Sequence, residues 1–139
     1  MRVSRAQIEN LAQFRYALRQ FLRYSERNAR QAGISPQQHQ LLLTIQGMTG
    51  RDWANVAEIA ERLQVSHHAA VALVTRAQRL KLVKRQRGTV DRRTVQVSVT
   101  PRGRALIEKL TALHTAELGR LREQLVGRLT ALAGRVHRA

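Results

Sequence analysis

The chain has no cysteine among its 139 residues. That excludes disulfides, cysteine-ligated zinc, thiol nucleophiles and thiol-oxidation switches together. Acids are scarce as well: nine Asp and Glu stand against 25 Lys and Arg, a formal charge of +16. No run of about 18 apolar residues exists, so nothing reads as a bilayer span. The N-terminus lacks an apolar signal core and mixes Arg2, Arg5 and Glu9 with polar residues. A soluble, cytoplasmic protein is expected. There is no glycine-rich phosphate loop, no H-E-x-x-H helix and no productive pair of acids, so neither an enzyme nor a cofactor is expected. His39, His114 and His137 are scattered. His67 and His68 are adjacent, about 100° apart on a helix, with no carboxylate one turn on. No metal site is expected.

What remains is a basic chain able to build a core. About 43% of residues are apolar, and the length suits one domain. Excess positive charge attracts polyanions, either nucleic acid or an anionic membrane surface. Residues 34–50 carry no charge, while residues 51–104 carry twelve basic and four acidic groups. Within that block, Arg79 to Arg93 holds seven basic residues and one acid, Asp91. A concentrated basic stripe is the footprint of a phosphate-binding surface.

Residues 5–32 read as a long helix. Ile8, Leu11, Phe14, Leu18, Phe21 and Leu22 recur at three- and four-residue steps. Ser35-Pro36 opens the next helix, with Gln38 placed to complete a capping box. This helix runs through Met48, is apolar on several faces and reads as the central post of the fold. Asn55 and Glu58 form a second capping box, after which Val56, Ile59, Ala60 and Leu63 face inward. Gln64-Val65 make a tight turn, and Ser66 caps a helix to about Leu80 with Ala70, Leu73, Val74 and Ala77 inward. Two short capped helices joined by such a turn form a helix-turn-helix.

Val83 to Arg87 and Thr94 to Val99 are short β-prone runs. Val95, Val97 and Val99 alternate with Gln96 and Ser98, as in a half-buried strand. The loop from Gly88 to Arg93 has no core residues and reads as a wing. Thr100-Pro101 caps a further helix carrying Leu106, Ile107, Leu110 and Leu113. Leu118, Leu121, Leu125, Leu129 and Leu132 continue the spacing, with Gly119, Gly127 and Gly134 suggesting breaks or close helix contacts.

This order of elements resembles the MarR family of bacterial transcriptional regulators over essentially the whole chain. The sharpest match is Asp91-Arg92-Arg93, with six residues before Thr100-Pro101-Arg102-Gly103. It resembles the family's D-x-R wing signature followed by its LT-x-x-G junction, with Val99 where Leu is usual. Ser66 through Arg76 resembles the family's recognition helix. The implied fold is mainly α (α+β): one domain over 1–139, with the winged helix-turn-helix at 34–104 and dimerisation helices at 1–33 and 105–139.

The resemblance implies that Arg93 enters the minor groove and Asp91 orients it. Physically, a carboxylate two residues away can hold a guanidinium in a fixed fork, and a narrow minor groove attracts arginine. Arg85, Arg87 and Arg92 complete the expected wing contacts. The recognition helix would enter the major groove by its N-terminal half. Its candidate contacts are Ser66, His67, His68, Ala69, Val71, Ala72, Thr75, Arg76 and Arg79. Arg76 and Arg79 suit phosphates better than bases. Few groups here make bidentate base contacts. Specificity would lean on the two histidines, on thymine-methyl contacts from Ala69, Val71 or Ala72, and on groove shape.

Apolar stripes at both ends favour a homodimer, which matches the family's habit. Its partner would be double-stranded DNA with a pseudo-palindromic operator. Many family members bind a small aromatic or phenolic effector. The candidate lining here is Phe14, Leu18, Leu41, Ile45, Trp53 and Leu110, with Arg15, Arg19 or His39 as anion partners. Two other readings compete with a specific regulator of the repressor type. One is a nucleoid or architectural protein with low sequence choice, which the high charge and poor base-reading face favour. The other is a membrane-surface protein, for which the strand-wing-strand segment gives no support.

Overall fold

The structure is a computed structural model and describes residues 2–136. His137 and Arg138 lie outside the described residues, as do the side chains of Leu125 and Leu132 and of Gly134's neighbours. Eight elements follow in order. They are α1 (Arg5–Gln31), α2 (Pro36–Gln46), β1 (Trp53–Ala54), α3 (Val56–Leu63), α4 (His67–Arg79), β2 (Val83–Arg87), β3 (Val95–Val99) and α5 (Pro101–Val136). Two compact units emerge: residues 29–110, and residues 1–28 with 111–139.

The first, the winged unit, is built around α2. Leu41, Leu42 and Ile45 are fully buried there, and Ile59, Val74, Leu82, Val97 and Leu110 close around them. Ser35 caps α2 by accepting from the Gln38 N–H at 3.1 Å. The reciprocal half of the expected capping box does not form. Gln38 is buried instead, with Oε1 lacking a hydrogen-bond partner among the described residues. An inward-packed residue cannot also reach back to the cap, and here burial wins.

The Asn55–Glu58 box at α3 is complete, at 2.8 and 3.1 Å. Gln64 ends α3 in the left-handed region (φ 56°). Ser66 then caps α4 through the Ala69 N–H. The left-handed residue reverses the chain within a few positions, which is how two short helices meet as a helix-turn-helix.

The sheet order is β1-β3-β2, antiparallel throughout. Strands β2 and β3 run where the valine alternation places them. Strand β1 carries no such pattern: two residues, Trp53 opposite Ser98 and Ala54 opposite Val97, are too few for a period. The strand-to-helix junction is tightly made. The Thr100 hydroxyl shares its one hydrogen between the Lys81 and Leu82 carbonyls, at 2.7 and 3.1 Å, and accepts from the Gly103 N–H. A Cβ on Gly103 would meet the Leu82 carbonyl oxygen at 2.5 Å and Val99 Cγ1 at 2.6 Å. Only glycine fits, which is the physical content of the T-x-x-G pattern.

The helical unit consists of the first part of α1 and the later part of α5. Ala17, His114 and Leu121 are buried, and the His114 ring meets Phe21 and Tyr24 edge-on at 5.9 and 6.0 Å. Arg128 donates to Asn10 at 2.8 Å. The expected breaks at Gly119 and Gly127 do not occur, because α5 is one continuous helix. Nothing lies within 4 Å of a Cβ built at either position. A lone glycine costs a helix interior only ~1 kcal/mol relative to alanine, which 36 residues of helix absorb. No helix among the described residues is long and apolar enough to cross a membrane.

Candidate nucleic-acid interface

Helix α4 has two faces. Ala70, Leu73, Val74 and Ala77 are buried against the core. Ser66, His67, His68, Ala69, Ala72, Arg76 and Arg79 are exposed, and Val71 and Thr75 are half-buried. His68, Val71, Ala72, Thr75, Arg76 and Arg79 line one shallow groove of about 440 Å³. The residues expected to face outward therefore share a surface, with small side chains at its centre and two arginines at one end.

The wing is shaped by backbone contacts. The Gly88 N–H donates to the Thr94 carbonyl at 2.8 Å, and the Thr94 N–H donates to the Asp91 carbonyl at 3.1 Å. A Cβ on Gly88 would lie 2.7 Å from that Asp91 oxygen, so the turn closes only over glycine. Asp91 behaves differently from the expected fork. Its Oδ1 accepts from the Arg93 backbone N–H at 2.9 Å, while the Arg93 Nε stands 3.6 Å away. The second distance exceeds an ordinary N–H···O bond. Asp91 thus organises the turn's backbone, and the Arg93 side chain projects from it, 95% exposed.

Among the described residues, only two ion pairs form between residues 51 and 104: Arg51–Glu58 and Asp91–Arg93. Arg76, Arg79, Lys84, Arg87 and Arg92 are exposed and form none. Five cations without a counter-charge, spread over α4 and the wing of one unit, make a strongly positive surface. Arg85 departs from this set. It is half-buried, and its guanidinium donates to Gln78 Oε1 at 2.7 Å and to Thr75 Oγ1 at 3.1 Å.

Away from the surface, Arg51 stacks 4.3 Å over the Trp53 ring and pairs with Glu58. Burial pushes the Glu58 carboxyl up. The Asn55 N–H bond and the Arg51 guanidinium outweigh it, with Arg62 adding, and the carboxyl settles below its usual value. This cluster pins β1 to the start of α3.

The nine residues expected to line an effector pocket are divided. Leu41, Ile45 and Leu110 are fully buried in the core of the winged unit, and His39 is buried there too. Trp53 is half-buried beneath Arg51. In the helical unit, Phe14 is half-buried, while Arg15, Leu18 and Arg19 are exposed. The winged unit does hold a cavity of about 460 Å³, lined by other residues: Gly33 to Ser35, Gln37, Gln38, Leu73, Arg76, Arg79 and Leu80. Sequence periodicity could not find it, because it opens at the α1–α2 turn. Among the described residues, no group of three His, Asp or Glu side chains could hold a metal ion.

A capped helix-turn-helix followed directly by a two-stranded wing defines the winged helix-turn-helix class. Residues 32–94 match the family model described as "MarR family". The HTH-type transcriptional repressor MdtR of Bacillus subtilis is 30% identical over 88 residues. That match takes in 63% of this chain and 55% of MdtR, so the chain spans about half the length of that relative. MepR, a transcription regulator of the multidrug efflux pump MepA of Staphylococcus aureus, superposes with a TM-score of 0.75 at 19% identity. The superposition covers 96% of this chain and 99% of MepR. AbsC from Streptomyces coelicolor gives 0.73 at 17% identity, over 100% and 99% of the two chains. A point mutant of MepR bound to an oligodeoxyribonucleotide gives 0.66 at 21% identity, over 88% and 94%. Residues 32–94 are thus similar to the MarR family, and the chain shares the fold of these solved structures.

Proposed function

We propose that the chain is a DNA-binding transcriptional regulator that acts as a cytoplasmic homodimer and represses its target. The observation that carries this reading is the set of unneutralised cations shared by α4 and the wing. Helix α4 presents its N-terminal half to the major groove. Arg93 projects from a turn that Asp91 has already fixed, and so reaches a narrow minor groove at reduced entropic cost. Arg76, Arg79, Lys84, Arg87 and Arg92 meet phosphates. The description of MdtR as a repressor supports the direction of regulation.

The helical unit supports the dimer. Ile8, Leu11 and Leu22 remain about half exposed or more, at 61, 50 and 46%. A contiguous apolar stripe of this kind marks an interaction face, and a second copy covers it by two-fold symmetry. Two recognition helices then lie ~34–36 Å apart on a pseudo-palindromic operator. The family resemblance extends the proposal to release from DNA by a small aromatic or phenolic ligand. The cavity beside Arg76 and Arg79 has a volume in the range of small-ligand sites.

A second reading, an architectural DNA-binding protein, is favoured by the scarcity of base-reading side chains on α4. Selection of bound duplexes from a random pool, followed by salt titrations, separates the two. A regulator binds its selected site at least ~10³-fold above random DNA. An architectural protein shows the same steep salt dependence with no such preference. Within the regulator reading, Arg93→Ala weakens binding more than Arg2→Ala does. Equal losses would reduce the wing to bulk charge.

A further inference from the structure

Arg85 occupies an unusual place for a basic residue in a positive surface. It lies opposite Val97 in the β2–β3 ladder and shares its face of β2 with buried Val83. Side chains alternate along a strand, so this face turns toward the body of the unit. Both bonded guanidinium nitrogens point at α4: one at Gln78 Oε1, 2.7 Å, the other at Thr75 Oγ1, 3.1 Å. The wing's first strand is thereby tied to the recognition helix across ten residues of sequence.

The bond also fixes the chemistry of Thr75. A hydroxyl has one hydrogen and two lone pairs, and a guanidinium can only donate. Arg85 therefore occupies a lone pair and leaves the hydrogen. In a helix, that hydrogen usually goes to the carbonyl three or four residues back. Thr75 makes no such bond among the described residues, and it lines the same groove as His68, Val71 and Ala72.

The geometry points to Arg85 as a positioning residue that touches no phosphate and presents Thr75 as a hydrogen-bond donor to an acceptor on the bound DNA. The acceptor is a base-edge nitrogen or oxygen, or a phosphate oxygen. This rests on the DNA-binding reading above and assigns a DNA contact to a side chain that another protein residue orients.

The test is a salt series of anisotropy titrations with the selected duplex and a random one. The proteins are the parent chain, Arg85→Gln, Arg85→Lys, Thr75→Val, Thr75→Ser and Arg85→Gln/Thr75→Val. A phosphate contact steepens the log–log salt slope by about 0.9. The expected result is that Arg85→Gln leaves the slope unchanged and weakens binding roughly three- to tenfold. Thr75→Val gives a similar loss, and the double variant loses no more than either single one. Arg85→Lys keeps the charge without the fork and does not rescue. Thr75→Ser retains the hydroxyl and keeps parent affinity. If Thr75 faces a base edge, the losses fall on the selected duplex; if it faces a phosphate, they fall on both. A slope shallower by about one, rescue by lysine, or additive losses would overturn the assignment. Circular dichroism melting of each variant separates a lost contact from misfolding. Absence of DNA binding by the parent chain would overturn the DNA-binding reading itself.

Discussion

Among the described residues, the nine largest fully buried side chains all belong to residues 29–110, whereas ten of the fifteen exposed large apolar residues belong to the other unit. Both units are basic and mostly helical, so the difference is not one of composition. The winged unit packs its other helices and a sheet around α2, and most of its apolar residues find partners there. The helical unit has two helices, and two helices cannot enclose a core between them. One unit encloses its own core, and the other is left for the proposed second copy to complete. The proposed DNA contacts sit on the winged unit, where a rigid frame can hold them.

The contrast is broken most completely by charging the open stripe. Leu11→Glu with Leu22→Glu should convert the proposed dimer to monomer in sedimentation, and the concentration dependence of the melting temperature should disappear with it. The winged unit's stability should survive the change. A parent chain that sediments as a monomer would remove the reason for calling the unit half-built. Next in size is a strike at the winged unit. Gly103→Ala forces a methyl against a backbone carbonyl and should cost about 1–3 kcal/mol in denaturant unfolding. A cost near zero would show that the Thr100 junction yields easily. The smallest effect sharpens the picture of β1. The Glu58 carboxyl is held below its usual value near 4.5, so its contribution is full above that pH and fades as pH falls through the lower value. Glu58→Gln keeps a capping side chain and removes the charge. It should cost roughly 0.5–1 kcal/mol at neutral pH, and its melting curve should converge with the parent's in acid.

Most of the winged unit was readable because its signals are local. Ser35, Asn55, Ser66 and Thr100 each cap a helix where a short polar residue precedes an apolar run. The wing followed from valines at every second position. The misreadings share a cause as well. Strand β1 is two residues whose identity as a strand comes wholly from pairing with β3. Gln38 fits a capping pattern, but tertiary burial decides its side chain. Gly119 and Gly127 resemble stops, yet their cost is small beside the length of α5. At the site, sequence grouped Arg85 with the DNA contacts because it stands among arginines. Its partners Thr75 and Gln78 lie on another element, and no linear pattern brings them together.

The helical unit is also discontinuous, its two pieces separated by the entire winged unit. During synthesis, the chain emerges N-terminus first and domains fold as they are completed. Residues 1–28 leave the ribosome before the rest of their unit, with Ile8, Leu11 and Leu22 on display until residues from 111 onward follow. By then the winged unit has everything it needs to close. With the proposed dimer, maturation has two clocks: a fast intramolecular one for the winged unit, and a slower bimolecular one, set by how many copies are present, for the stripe. If the proposed dimer forms, a cell making few copies holds a population whose winged half is complete before its helical half has met a mate.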